Sequence, residues 1–105
     1  MLENYLIDFP NKEEVSCRSW HNECVVYNSV SGETHLLDGL GAQLIIFVSE
    51  KAFTGTDLLQ SIQSIQSIYE FEFDLNTEAL VLDLIMEYQK LGLLIIKENI
   101  TARYL

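Results

Sequence analysis

The chain has 105 residues, nearly half apolar (49%) and about a fifth charged (21%), a balance that suits one globular domain and excludes a disordered segment. Sixteen acidic residues stand against six basic ones, for a formal net charge of −10. A field of that sign repels nucleic acid and anionic lipid surfaces, so the expected partners are proteins or peptides, with no nucleic acid and no membrane among them.

The opening residues, Met1-Leu2-Glu3-Asn4-Tyr5, lack the basic start and apolar stretch of a signal peptide. The longest apolar run, Leu44 to Val48, falls far short of the ~20 residues of a membrane-spanning helix. With two cysteines and no dense disulfide framework, the expectation is a reduced, cytoplasmic protein. The first dozen residues and the tail from Asn99 to Leu105 are placed at the periphery of a single domain over residues 1–105, with its core at about 15–96.

Val15 to Trp20 and Glu23 to Asn28 read as two short strands joined by a tight turn at His21-Asn22. Ser29-Val30-Ser31-Gly32 is a stronger turn signal, because Gly32 tolerates backbone angles that other residues avoid. Glu33 to Leu37 gives a third strand, and alternation with Leu36 inward leaves His35 outward. Asp38 is placed as the cap of a first helix whose apolar face carries Leu40, Leu44, Ile45, Phe47 and Val48. A second helix is expected from about Asp57 to Ile68, capped by Thr54 or Thr56, with Ile62, Ile65 and Ile68 in one slowly drifting stripe. Tyr69 to Leu75 reads as an irregular acidic and aromatic connection. A third helix, capped by Asn76, runs to about Leu91 and stops at Gly92. Leu93 to Ile96 reads either as a last short strand or as a segment packed on the core. The expected class is α+β and winged-helix-like: a three-stranded antiparallel sheet followed by three helices.

Little in the chain points to catalysis. There is no G-x-S-x-G serine and no glycine-rich phosphate loop, and Gly39-Leu40-Gly41 lacks the surroundings of a dinucleotide site. No enzymatic role and no cofactor are expected. Cys17, His21 and Cys24 are spaced C-x3-H-x2-C, with His35 eleven residues further on. Those are zinc-ligand types, yet no C-x2-C knuckle is present, and strand alternation would point the two cysteines to different faces. They read as two small buried or half-buried thiols, with no metal and no disulfide. Trp20 reads as a residue of the core or its rim.

The run from Val25 to Asp38, V-V-Y-N-S-V-S-G-E-T-H-L-L-D, is distinctive, with Arg18-Ser19-Trp20 before it and Gly41-Ala42-Gln43-Leu44 after it. It resembles the PqqD-like peptide chaperones, and within them the variant associated with a kinase-like protein related to HPr kinase. Asp57-Leu58-Leu59 and Leu91-Gly92-Leu93-Leu94 match in outline, so the resemblance covers about Cys17 to Leu94. It implies a non-catalytic recognition element for ribosomally made, post-translationally modified peptides. Such a module binds the leader of a precursor peptide and presents it to modifying enzymes in natural product biosynthesis. The implied partners are the leader peptide and peptide-modifying enzymes, with the HPr-kinase-related protein as a further candidate. Apart from the resemblance, a third reading is a purely structural interaction domain, a homodimer through the exposed edge or the Ile95–Ile100 tail.

In that resemblance the leader adds a strand to the sheet edge and lays apolar side chains along the third helix. The implied peptide-binding residues are Glu33, Thr34, His35, Leu36 and Leu37 on the edge, and Leu80, Leu84, Glu87 and Leu91 on the helix. The helix carries a second stripe, Val81, Ile85 and Tyr88. Spacing alone leaves open which stripe is buried. The competing expectation is a winged-helix protein–protein interaction or transcription-accessory domain. A DNA reader is disfavoured because the third helix sets Glu78, Asp83 and Glu87 against Lys90.

Overall fold

The alternation between residues 15 and 38 becomes a meander in the computed structural model, which describes residues 5–64 and 75–98. Strands β2 (Val15–Trp20), β3 (Glu23–Asn28) and β4 (Glu33–Asp38) pair antiparallel in the order β2-β3-β4. Cys24, Val26 and Asn28 alternate inward along β3 and are buried. Both turns lie where the sequence places them. His21 takes a left-handed φ of 51° in the first. In the second, Gly32 (φ 77°) donates from its N–H to the Asn28 carbonyl at 2.8 Å. Asn28 Oδ1 accepts from the Val30 N–H at 2.9 Å and the Ser31 N–H at 3.4 Å. A buried asparagine thus satisfies the amides of the turn it precedes.

Helix α1 (Gly39–Glu50) follows at once, and its start differs from expectation. Asp38 is extended and stands in the cap position, but its side chain makes no cap hydrogen bond. The β2–β3 turn takes over that role. The Gly39 N–H donates to the Asn22 carbonyl at 3.0 Å. The Gln43 Nε2 amide donates to Asn22 Oδ1 at 3.1 Å and to the His21 carbonyl at 3.4 Å. A free helix amide is satisfied by backbone from another element, and the hairpin is tied to the first turn of α1.

A second three-stranded sheet was not foreseen. Strand β1 (Tyr5–Asp8) is its middle strand, antiparallel to β5 (Phe53–Thr54) on one side and β6 (Ile95–Glu98) on the other. The first dozen residues, expected at the periphery, therefore contribute Ile7 (1% exposed) and Phe9 to the core. Leu93 and Leu94 are buried ahead of β6, so the last segment both packs on the core and forms a strand.

Helix α2 (Gly55–Ser64) begins under a threonine cap: Thr54 Oγ1 accepts from the Asp57 N–H at 3.1 Å. Ile62 is buried as its stripe requires, while Ile65, Ile68 and the acidic and aromatic connection up to residue 74 lie outside the described residues. Helix α3 (Leu75–Lys90) includes Asn76 as its second residue, so Asn76 is not its cap. The helix ends as a Schellman motif. The Leu93 N–H donates to the Tyr88 carbonyl at 2.8 Å and the Gly92 N–H to the Gln89 carbonyl at 3.1 Å, with Gly92 at φ 76°. A Cβ at Gly92 would also lie 3.1 Å from Asn28 Nδ2. Gly92→Ala is expected to cost about 1–2 kcal/mol, read as a lower urea midpoint with an unchanged m-value.

The protein is thus mixed α+β, with two antiparallel sheets and three helices among the described residues. None of these helices is long and apolar enough to cross a membrane. Leu44, Ile45 and Val48 of α1 meet Val26, Leu58, Ile62, Val81 and Leu93 in one core.

Candidate functional site

Among the described residues, the strand order leaves β4 with β3 on one side and an unpaired edge on the other. The register fixes how its side chains point. His35 lies opposite Val26, which is fully buried, so His35 belongs to the inner face. Leu36 lies opposite Val25 and points outward, 68% exposed. This reverses the expected assignment of the two. A strand has period two, so one fixed neighbour sets every face along it. Glu33 and Thr34 are exposed, and Leu37 is half-buried against the core. His35 Nε2 stands 3.9 Å from a Glu33 carboxylate oxygen, an ion pair only when the imidazole is protonated.

On α3 the two stripes separate. Val81, Ile85 and Tyr88 are buried. Leu80 (49% exposed) and Glu87 are exposed, while Leu84 and Leu91 are half-buried. The opposite shoulder carries Leu82 and Met86. With Tyr5, Ile7, Ile85 and Ile96 they line an apolar cavity of about 450 Å³ between α3 and the β1–β6 pair. Leu80, Leu84, Glu87 and Leu91 therefore lie on the shoulder turned away from that sheet. Sequence reasoning missed the cavity, because its far wall comes from β1 and β6.

Helix α1 packs against both β4 and α3 and joins the two predicted halves of the site. The junction is tight. A Cβ at buried Gly41 would collide with the Tyr88 hydroxyl, so glycine here admits the tyrosine. Burial, chiefly, pushes the Tyr88 hydroxyl up to about 12, with nearby Cys24, Asp38 and Glu87 adding to the shift. The Gly41-Ala42-Gln43 run thus has a physical role at each position. Gly41 receives Tyr88, Ala42 offers its carbonyl to the Cys24 thiol at 4.0 Å, and Gln43 holds the hairpin turn.

Trp20 ends β2 on the outer face of the meander, 47% exposed, rather than in the core. Tyr27 and Leu36 share that face, which alternation leaves open to solvent. Cys24 is buried and Cys17 half-buried, as expected, but the two do not point to different faces. Cys17 pairs with Val26 and Cys24 with Ser19, so both thiols lie on the inner face, and both are free. His21 sits exposed at the turn, away from that face. Among the described residues, no three His, Cys, Asp or Glu side chains gather as a group able to hold a metal ion.

The chain matches no family model, no curated protein and no solved structure.

Proposed function

We propose that this protein is a non-catalytic, PqqD-like peptide-binding module, a winged-helix-like unit that binds the leader of a ribosomally made precursor peptide by strand addition. The observation that carries the reading is the open edge of β4, joined through α1 to a helix shoulder that keeps Leu80 exposed and Leu84 and Leu91 half-buried. An unpaired strand edge is a template for another chain, and apolar side chains beside it supply selectivity. A leader strand laid along Glu33–Asp38 would lie over α1, with half-buried Leu37 and Leu40 beneath it.

The charge narrows the ligand. Glu33 and Asp38 at the ends of β4, and Glu87 on the shoulder, surround the apolar positions with carboxylates. The preferred leader is therefore extended, with apolar anchors flanked by Lys or Arg. Four or five net main-chain hydrogen bonds at ~1 kcal/mol each, plus a few buried side chains at ~2 kcal/mol, less the cost of association, give a Kd on the order of micromolar to tens of nanomolar. Peptide-modifying enzymes, the HPr-kinase-related protein among them, are the proposed recipients of the bound peptide, acting in the cytoplasm.

Leu80→Ala and Leu84→Ala are each expected to weaken leader binding by about tenfold, the loss of one partly buried side chain from the interface. The far-ultraviolet circular dichroism spectrum stays unchanged. Fluorescence anisotropy with labelled leader segments reads the effect. Unchanged affinity in both folded variants would remove the helix shoulder from the site.

A further inference from the structure

The meander holds two thiols in unequal settings on its inner face. Cys17 opposite Val26 and Cys24 opposite Ser19 make the two cysteines diagonal neighbours on the same face of the β2–β3 pair. Cys24 is fully buried beneath α1, with its sulfur 4.0 Å from the Ala42 carbonyl oxygen. Cys17 is half-buried and borders a cavity of about 250 Å³ whose wall also includes Lys12, Ser16 and Ser49. A small polar molecule entering this cavity meets Cys17 and cannot meet Cys24.

We infer that Cys17 is a peroxide-reactive thiol and that Cys24 is its resolving partner, the two closing a reversible intramolecular disulfide. The inference is independent of the peptide-binding reading. The thiolate is the nucleophile in such chemistry, and the pair favours its formation at Cys17. The neighbouring Cys24 thiol lowers the Cys17 pKa below its ordinary value, against an opposing effect of burial. Cys24 is held protonated, first by its interaction with Cys17 and then by its own burial.

The oxidant is hydrogen peroxide. The Cys17 thiolate attacks one peroxide oxygen, the O–O bond breaks, and hydroxide leaves and takes a proton to become water. Cys17 is then a sulfenic acid. The Cys24 sulfur gives up its proton and attacks the Cys17 sulfur, the S–O bond breaks, and a second water departs. Two thiols are oxidised to one disulfide, and one peroxide is reduced to two waters. Diagonal neighbours sit about 7–8 Å apart, beyond the ~4.4–6.8 Å between Cα atoms that a relaxed disulfide spans. The strands must therefore shift slightly to close the bond, and a strained disulfide is readily reduced.

The test treats the full chain with hydrogen peroxide and follows it by intact mass and non-reducing peptide mapping. Wild type is expected to lose the mass of two hydrogens, to yield a cross-linked peptide containing Cys17 and Cys24, and to revert with dithiothreitol. Cys17→Ala leaves the Cys24 thiol unmodified under the same treatment. Cys24→Ala gains oxygen at Cys17, trapped as a dimedone adduct. The wild-type and Cys17→Ala arms decide the matter even if Cys24→Ala fails to fold. Oxygen accumulating on Cys17 of wild type without a cross-link, a link between two chains, or no reaction at either thiol would each overturn the inference.

Discussion

Replacing Ile7 with alanine is expected to destabilise the protein by about 2–5 kcal/mol, the range for deleting a fully buried large aliphatic side chain. Ile7 is 1% exposed and sits on the middle strand of its sheet, opposite Phe53 on one side and Ile96 on the other. It also lines the apolar cavity behind α3, so truncation enlarges a space that the surrounding residues already leave open. For a domain of this size each kcal/mol lowers Tm by roughly 4–8 °C. The variant should therefore melt well below wild type in a reversible thermal scan. A loss under about 0.5 kcal/mol, the range typical of surface substitutions, would mean that β1 is peripheral after all.

Gly41→Ala is expected to destabilise by about 1–3 kcal/mol, the cost of overpacking a filled site. The sign is informative. Gly41 lies inside α1, and replacing a helix-interior glycine with alanine ordinarily stabilises by up to about 1 kcal/mol. Here the added methyl meets the Tyr88 hydroxyl, and Tyr88 is itself buried among core residues. The conflict is with one oxygen atom, so Tyr88→Phe should relieve it. The double variant Gly41→Ala/Tyr88→Phe is expected to be more stable than the two single changes predict by addition. Urea titration of the four proteins measures that coupling. Strict additivity would contradict the contact.

The meander was legible because its information is local. Alternation in V-V-Y-N and T-H-L-L-D, with a glycine turn between them, fixes three strands within 24 residues from Val15 to Asp38. The last strand of a meander is by construction an edge, so half of the candidate site could be read directly. The second sheet could not. β1 has four residues and β5 has two, too short to display a period, and β1 pairs with strands far along the chain, Leu6 with Thr54 48 positions on and Ile7 with Ile96 89 positions on. Side-chain direction failed for a related reason. Trp20 and Leu36 each needed a neighbour's burial to choose between two faces, and that neighbour lies on another strand. On α3 the spacing showed two stripes. Only the packing of Val81, Ile85 and Tyr88 into the core revealed that the other stripe is the less buried one, with Leu80 and Glu87 exposed and Leu84 and Leu91 half-buried at the core's margin.

The asymmetry of α3 also bears on where the proposed leader peptide would lie. One shoulder, Leu82 and Met86, opens on the cavity beside β1 and β6, and the other carries Leu80, Leu84, Glu87 and Leu91. The first shoulder faces the β1–β6 pair across that cavity, whereas the second is linked to β4 through α1, and among the described residues β4 pairs on one side only. The proposed function assigns the leader to β4, where carboxylates flank the apolar positions, and so distinguishes the two grooves by experiment.

The most direct test is a chemical-shift titration of isotope-labelled protein with leader segments of precursor peptides from the same genomic neighbourhood. The account predicts shifts concentrated on Glu33–Asp38 and on Leu80, Leu84, Glu87 and Leu91, with Tyr5, Leu82, Met86 and Ile96 unmoved. Shifts confined to the second group, or no shifts with any leader segment, would contradict it.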